Sequence, residues 1–399
     1  MTLARRAAVR AARRPVTLAA AVCAIALIAP VASADPLRLR ADALASTASP
    51  AGLLVLDTEA AVRAGVSAEA VVWMANAHAP GEASTGDVLV VAVRARMRRA
   101  DARVGRFVAT LGALRPEHVD GGGVRVQLPR RIDAEFVAGV PVVAGGMAWG
   151  WVVGSRLSRR IGDGGSVGIA YAQRRDDGML AREELGLDAG AALGVRGDAA
   201  ARVAYDLANP GLAEVALTAS YRRRGLRGEA YAIHREASHL LPATSLFSVI
   251  GDVPSQRAGT VVTWRAAPRL DVIGDAGLRL VGGDAGAELT LRARLRLDDR
   301  GRSMLSGELR RSGVGEDMWT GARGAARIAL PHALAVTTEL ELVVPDADRG
   351  RGAAWPWALA ALAWDGGAWQ AAVAVEASAS PEYRGRVDVL GQLGRRWGR

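Results

Sequence analysis

The chain is 399 residues long, half of them hydrophobic, with 51 basic and 41 acidic residues and a formal charge of +10. Its single cysteine, Cys23, lies in an N-terminal stretch that reads as a leader, so the remainder has no disulfide framework, thiol nucleophile or thiolate metal site. Removing that leader's five arginines halves the charge, too mild an excess at this length to imply nucleic acid as a partner.

The leader comes first. Arg5, Arg6, Arg10, Arg13 and Arg14 form a basic n-region, residues 16–28 an apolar stretch, and Ala32-Ser33-Ala34 a small-residue processing site. The expected organisation is therefore a cleaved signal peptide at 1–34 and one domain at 35–399. The chain has no lysine; every long basic side chain is arginine, which a high-GC genome explains along with the abundant alanine and glycine. Beyond the leader no run of about 18 uninterrupted apolar residues appears, so no spanning helix is expected.

Residues 35–86 are the least regular part, with strands expected near 37–45, 52–58 and 70–75. Further along, apolar and polar residues alternate with the period of a strand at 124–128, 166–174, 199–207, 213–222 and 259–265. The clearest case is 287–298. There Ala287, Leu289, Leu291, Ala293, Leu295 and Leu297 oppose Glu288, Thr290, Arg292, Arg294, Arg296 and Asp298. The pattern returns at 335–344 and 369–376. Segments of 8–12 residues suit tilted strands crossing a bilayer, which need about 9–11.

Glycine- and aspartate-rich turns separate the segments, among them Gly162-Asp163-Gly164-Gly165, Asp176-Asp177-Gly178, Asn209-Pro210-Gly211 and Asp365-Gly366-Gly367. Short connections make sequential strands antiparallel neighbours. The expected fold is all-β: an up-and-down transmembrane β-barrel of about 18 strands, within a range of 16 to 22. Gly121-Gly122-Gly123 reads as a turn before a strand, and His118, with Glu117 and Asp120, as part of a loop. One long connection, 236–256, neither alternates nor looks like a polar surface loop.

Alternation alone also suits a soluble sandwich. Three features favour a membrane wall: apolar faces of Ala, Leu and Val with only three phenylalanines in the chain, charge in mid-strand, and tryptophans near expected strand ends. Those tryptophans are Trp149, Trp151, Trp319, Trp355, Trp357 and Trp397.

Two segments carry family resemblances. At the C-terminal end Tyr383, Gly385, Val387, Val389, Gly391, Leu393 and Trp397 alternate with Arg384, Arg386, Asp388, Gln392 and Arg396. This resembles the closing strand of bacterial outer-membrane β-barrel proteins, although Gly398-Arg399 stands where those end in an aromatic residue. At 103–126, V-G-R-F-V-A-T-L-G is followed by R-P-E-H-V-D-G and a new strand. It is similar to a strand–loop–strand of porin-like and alginate-export-like barrels, in which the loop ends in Asp-Gly. The resemblance implies an outer-membrane location in a Gram-negative-type bacterium, the lipid bilayer as surroundings and insertion by the barrel-assembly machinery.

The expected function is a channel for passive diffusion of small hydrophilic solutes. Arg292, Arg294 and Arg296 would form a ladder with steps of about 6–7 Å. With Arg384 and Arg386 they would line the pore and favour anions, and Glu288, Glu339 and Glu341 would share it. Arg222, Arg106 and Arg125 are further candidates for that lumen, and Glu214 and Asp388 for pairing with it. The 236–256 loop, with Leu240, Leu241, Phe247 and Asp252, is the expected constriction. The alternatives are a structural or surface-interaction barrel with a plugged lumen and, remotely, a barrel hydrolase built on His234, His239, Ser238 and Asp252. No cofactor, metal or catalytic role is expected.

Overall fold

The computed structural model describes residues 38–47, 52–75, 85–142, 149–236, 254–347, 354–380 and 383–397. The expected leader and the 237–253 segment lie outside them. Twenty-two strands run through the described residues. The first six are Arg38–Ser46 (β1), Gly52–Arg63 (β2), Val66–Ala75 (β3), Thr85–Arg96 (β4), Ala100–Ala109 (β5) and Glu117–Leu128 (β6). Next come Ile132–Pro141 (β7), Gly150–Ile161 (β8), Gly165–Asp176 (β9), Met179–Leu193 (β10), Gly197–Asp206 (β11) and Gly211–Arg223 (β12). Then follow Leu226–Arg235 (β13), Ser255–Ala267 (β14), Leu270–Val281 (β15), Asp284–Arg296 (β16) and Met304–Ser312 (β17). Trp319–Ala329 (β18), Leu334–Pro345 (β19), Trp355–Asp365 (β20), Trp369–Ser380 (β21) and Tyr383–Trp397 (β22) complete the wall.

Every strand pairs antiparallel with the next, and β1 pairs with β22 from Leu39↔Trp397 to Ser46↔Leu390, so the sheet closes on itself. The closing strand is the segment whose alternation suggested that role. The number of strands is 22, not about 18. Two undercounted places show why. In β20 the alternation vanishes, because Leu359, Ala361 and Ala363 on one face oppose Ala358, Ala360 and Leu362 on the other. Between β12 and β13 the turn is only Arg224-Gly225, with φ of 40° and 84°. Both are left-handed, as a tight two-residue hairpin requires, but no Asn-Gly or Asp-Gly announces it.

The two faces of the wall differ in charge and in crowding. Paired residues of antiparallel neighbours share a face, so the register carries the assignment around the barrel. Glu117, Asp133, Ser158, Glu184, Glu214, Ser220 and Glu308 are buried, and all lie on the charged face. A closed sheet crowds side chains on its concave side, which makes the charged face the inner one. Leu217, Leu291, Leu340 and Val373, each more than 45% exposed, lie on the opposite, outer face. From Ala285 to Leu295 the outer face of β16 is apolar over ten residue steps. At about 3.3 Å per residue and a tilt near 40°, that is roughly 25 Å, the height of a lipid-facing band.

The two rims differ as well. The rim that holds the start of β1 and the end of β22 is closed by turns of two to seven residues; connections 76–84, 142–149, 236–254 and 346–354 all lie at the other. On the outer face near the terminus-bearing rim stand Tyr221, Trp264, Trp364, Trp369 and Trp397, with the Arg395 guanidinium 4.7 Å from the ring centres of both Trp369 and Trp397. Of the tryptophans expected at the interfaces, Trp151 and Trp397 face outward. Trp319, Trp355 and Trp357 instead face the lumen, where Trp357 donates from Nε1 to Glu376 Oε1 at 2.7 Å.

The inner wall and an inward loop as candidate functional site

The loop 110–116, between β5 and β6, folds into the lumen. Leu111, Ala113 and Leu114 are between 4% and 7% exposed, and Leu111 and Leu114 join Phe107, Val119, Val137, Val152, Ala170 and Ala172 in one apolar cluster on the inner wall. The seat is made of missing side chains. A Cβ at Gly154 of β8 would land on Leu111, and one at Gly186 of β10 would come within 2.8 Å of Leu114. Gly112, at the bend, has φ of +58°, and a side chain there would run into Arg156 and Asp188. Glycine is required at both contacting surfaces because the loop's leucine side chains rest on wall backbone and the wall's Arg156 and Asp188 side chains rest on loop backbone.

Charged groups frame the seat. Arg156 contacts Asp188 at 2.5 Å and Glu135 at 3.1 Å. Arg182 contacts Glu117 at 2.5 Å and Glu184 at 3.6 Å, and the Arg115 amide donates to Glu184 at 3.4 Å. Arg202 and Arg235 both reach Glu214, at 2.6 and 3.7 Å. Glu117, Glu184 and Glu214 are buried, Glu135 and Asp188 are partly so, and each carries at least one guanidinium, the condition under which a buried charge is tolerated. Short apolar loop and ionic frame thus form one unit on β5–β13.

Other expectations for this region change. Glu117, His118 and Asp120 lie in β6 rather than in a loop, and Gly121-Gly122-Gly123 is part of the same strand. The loop therefore ends at Pro116 and not at Asp120-Gly121. A Cβ at Gly121 would collide with the Ala138 carbonyl, so glycine there serves strand-to-strand approach. Arg106 lies on the outer face, opposite Asp120, and contacts it at 2.7 Å and Asp87 at 3.1 Å. Arg125 is on the inner face with Asp133 at 3.4 Å, and Arg222 faces inward at the terminus-bearing rim.

The predicted pore-lining residues share the inner face in register but are not a free ladder. Arg292 is paired with Glu308, Arg296 with Asp271 at 3.6 Å, and Glu288 with Arg257 at 2.6 Å and Arg279 at 3.6 Å. Glu339 pairs with Arg323, Glu341 with Arg310, and Arg386 with Asp388 at 2.7 Å. Arg294 alone of the three rungs has no carboxylate within 4 Å among the described residues. Arg384 sits in β22, and its side chain is outside those described. Leu240, Leu241, Phe247 and Asp252 also lie outside the described residues, as do Ser238 and His239. His234 is on the outer face, 3.5 Å from Glu236.

Neither a family model nor a curated sequence relative matches the chain. Solved structures do. The siderophore receptor PirA from Pseudomonas aeruginosa matches at a TM-score of 0.58 and 8% identity, over 92% of this chain and 81% of the receptor. The translocation pore of the P pilus usher PapC matches at 0.52 and 9%, over 90% of this chain and 98% of the pore. The chain has the outer-membrane β-barrel fold. At such identities the likeness is one of fold alone.

Proposed function

We propose that this protein is an outer-membrane channel that lets small hydrophilic solutes cross passively, its lumen narrowed but not blocked by loop 110–116. One comparison of lengths supports the reading. Twenty-two strands about 4.8 Å apart and tilted near 40° give a perimeter of roughly 140 Å, hence a circular width of roughly 40 Å. A seven-residue loop, fully extended, reaches at most about 25 Å. With both ends anchored in β5 and β6 it reaches half that across the lumen. Its contacts with Gly154 of β8 and Gly186 of β10 keep it on the β5–β10 side, leaving charged, wettable surface on β14–β22. In this reading the chain is exported by its leader, and the rim of short turns faces the periplasm, as short turns do in barrels of this kind.

Anion preference is part of the proposal, but it rests on Arg294 and the rim rather than on a three-rung ladder, since Arg292 and Arg296 face carboxylates. Conductance in a planar bilayer tests the channel. Discrete open steps from the folded protein are expected. Silence from protein that has demonstrably inserted would overturn the reading and leave the structural barrel with a closed lumen.

A further inference from the structure

The terminus-bearing rim carries a concentration of positive charge that the wall does not neutralise. Arg196 from the β10–β11 turn, Arg222 and Arg223 from the end of β12, Arg224 from the β12–β13 turn, Arg227 of β13 and Arg265 of β14 line one cleft of about 440 Å³. The carboxylates in reach are few: Asp198 is 3.8 Å from Arg222, Glu229 3.1 Å from Arg227, and Asp271 3.5 Å from Arg265. Asp271 is shared with Arg296. Arg196, Arg223 and Arg224 have no carboxylate within 4 Å among the described residues, and all six arginines are exposed.

The backbone fixes their arrangement. The Arg222 amide donates to the Arg196 carbonyl, and the Arg265 amide to the Gly225 carbonyl, each at 2.8 Å. Three consecutive hairpins are thereby tied at the rim, and Arg224 is held in a left-handed conformation that arginine seldom adopts. Six guanidinium groups against three carboxylates leave an excess of positive charge on neighbouring strands, which repels itself unless a further anion stands among them.

We propose that this cleft binds a phosphoryl group. A planar carboxylate is satisfied by one guanidinium fork, whereas guanidinium groups arriving from several strands suit a tetrahedral anion with several oxygens and more than one charge. The phosphoryl group comes from a soluble phosphate at the channel mouth or from a phospholipid headgroup at the membrane surface. Arg222, Arg227 and Arg265 face the lumen and Arg223 the outer side, so the cleft is open to both.

The site is independent of whether the lumen conducts, and the test uses the full barrel folded in phosphorus-free maltoside micelles. Calorimetric titration with inorganic pyrophosphate at low salt is expected to show saturable binding. Arg196→Gln combined with Arg223→Gln and Arg224→Asn is expected to weaken it at least tenfold; Arg98→Gln with Arg99→Gln, in the distant β4–β5 turn of the same rim, is expected to leave it unchanged. Asparagine tolerates the left-handed turn, so Arg224→Asn by itself, expected to weaken binding at least threefold, keeps the test open if the triple variant does not fold. Competition by a short-chain phosphatidylglycerol assigns the site to headgroups, and its absence assigns it to soluble phosphate. No binding, or equal loss in the distant double variant, overturns the proposal.

Discussion

Glu214 illustrates how single residues hold this wall. It is 2% exposed, and both Arg202 and Arg235 reach it from neighbouring strands. Glu214→Ala leaves two guanidinium groups facing each other at the inner wall. Because Arg202 is partly exposed, the cost falls below that of a fully buried pair, at about 2–4 kcal/mol. Urea unfolding in micelles measures it, and a loss below about 1 kcal/mol would mean that water already screens the pair. At the rim of long loops, Asp346 lies just outside β19. The Arg311 guanidinium, 2.5 Å away, holds its carboxyl below the usual carboxylate range against a smaller opposing effect of burial. A carboxyl depressed in the folded state stabilises it above the unfolded value, near 3.9, and that contribution disappears as pH falls through the lowered folded value. The melting temperatures of wild type and Asp346→Asn should therefore coincide below about pH 2 and separate above about pH 5. A constant gap across that window would place the effect elsewhere.

At the scale of elements, the strands were legible because each face has one job. Ala287, Leu289 and Leu291 against Glu288, Thr290 and Arg292 announce a strand, and the register puts the first three on the outer face. The lumen loop was not legible as such. Its signal exists, but in two distant parts: an apolar Leu111, Ala113 and Leu114 within a turn, and gaps at Gly154 and Gly186 beside Val137, Val152, Ala170 and Ala172 on the inner face. Only the register joins them. The longer 236–256 segment, expected as a constriction for its larger apolar content, lies outside the described residues from 237 to 253. Shortening loop 110–116 by replacing 111–114 with two glycines should raise single-channel conductance without closing the pore. Gly186→Val should also displace the loop, since the new side chain occupies the Leu114 seat. Unchanged conductance in both would show that the loop does not narrow the path.

For the whole molecule, closure is the dominant fact. With β1 paired to β22 no strand edge is left open among the described residues, and every strand has a hydrogen-bonded neighbour on both sides, which is what permits strands in hydrocarbon. Such a barrel should resist detergent at room temperature, so the unheated protein should migrate faster on a gel than the boiled chain. Identical migration in both states would deny a stable closed barrel. The sequence by itself determined the class of structure: strand periodicity of two, an apolar face too poor in large residues to fill a core, and mid-strand arginines that need water. These are local properties, readable along one segment at a time. It did not determine the strand number, because β20 is apolar on both faces and the Arg224-Gly225 turn lacks a hairpin signature. Nor did it decide which charges cancel or which loop enters. Those depend on residues that are far apart in the chain and meet only across the register, as Arg202 does with Glu214 and Leu114 with Gly186.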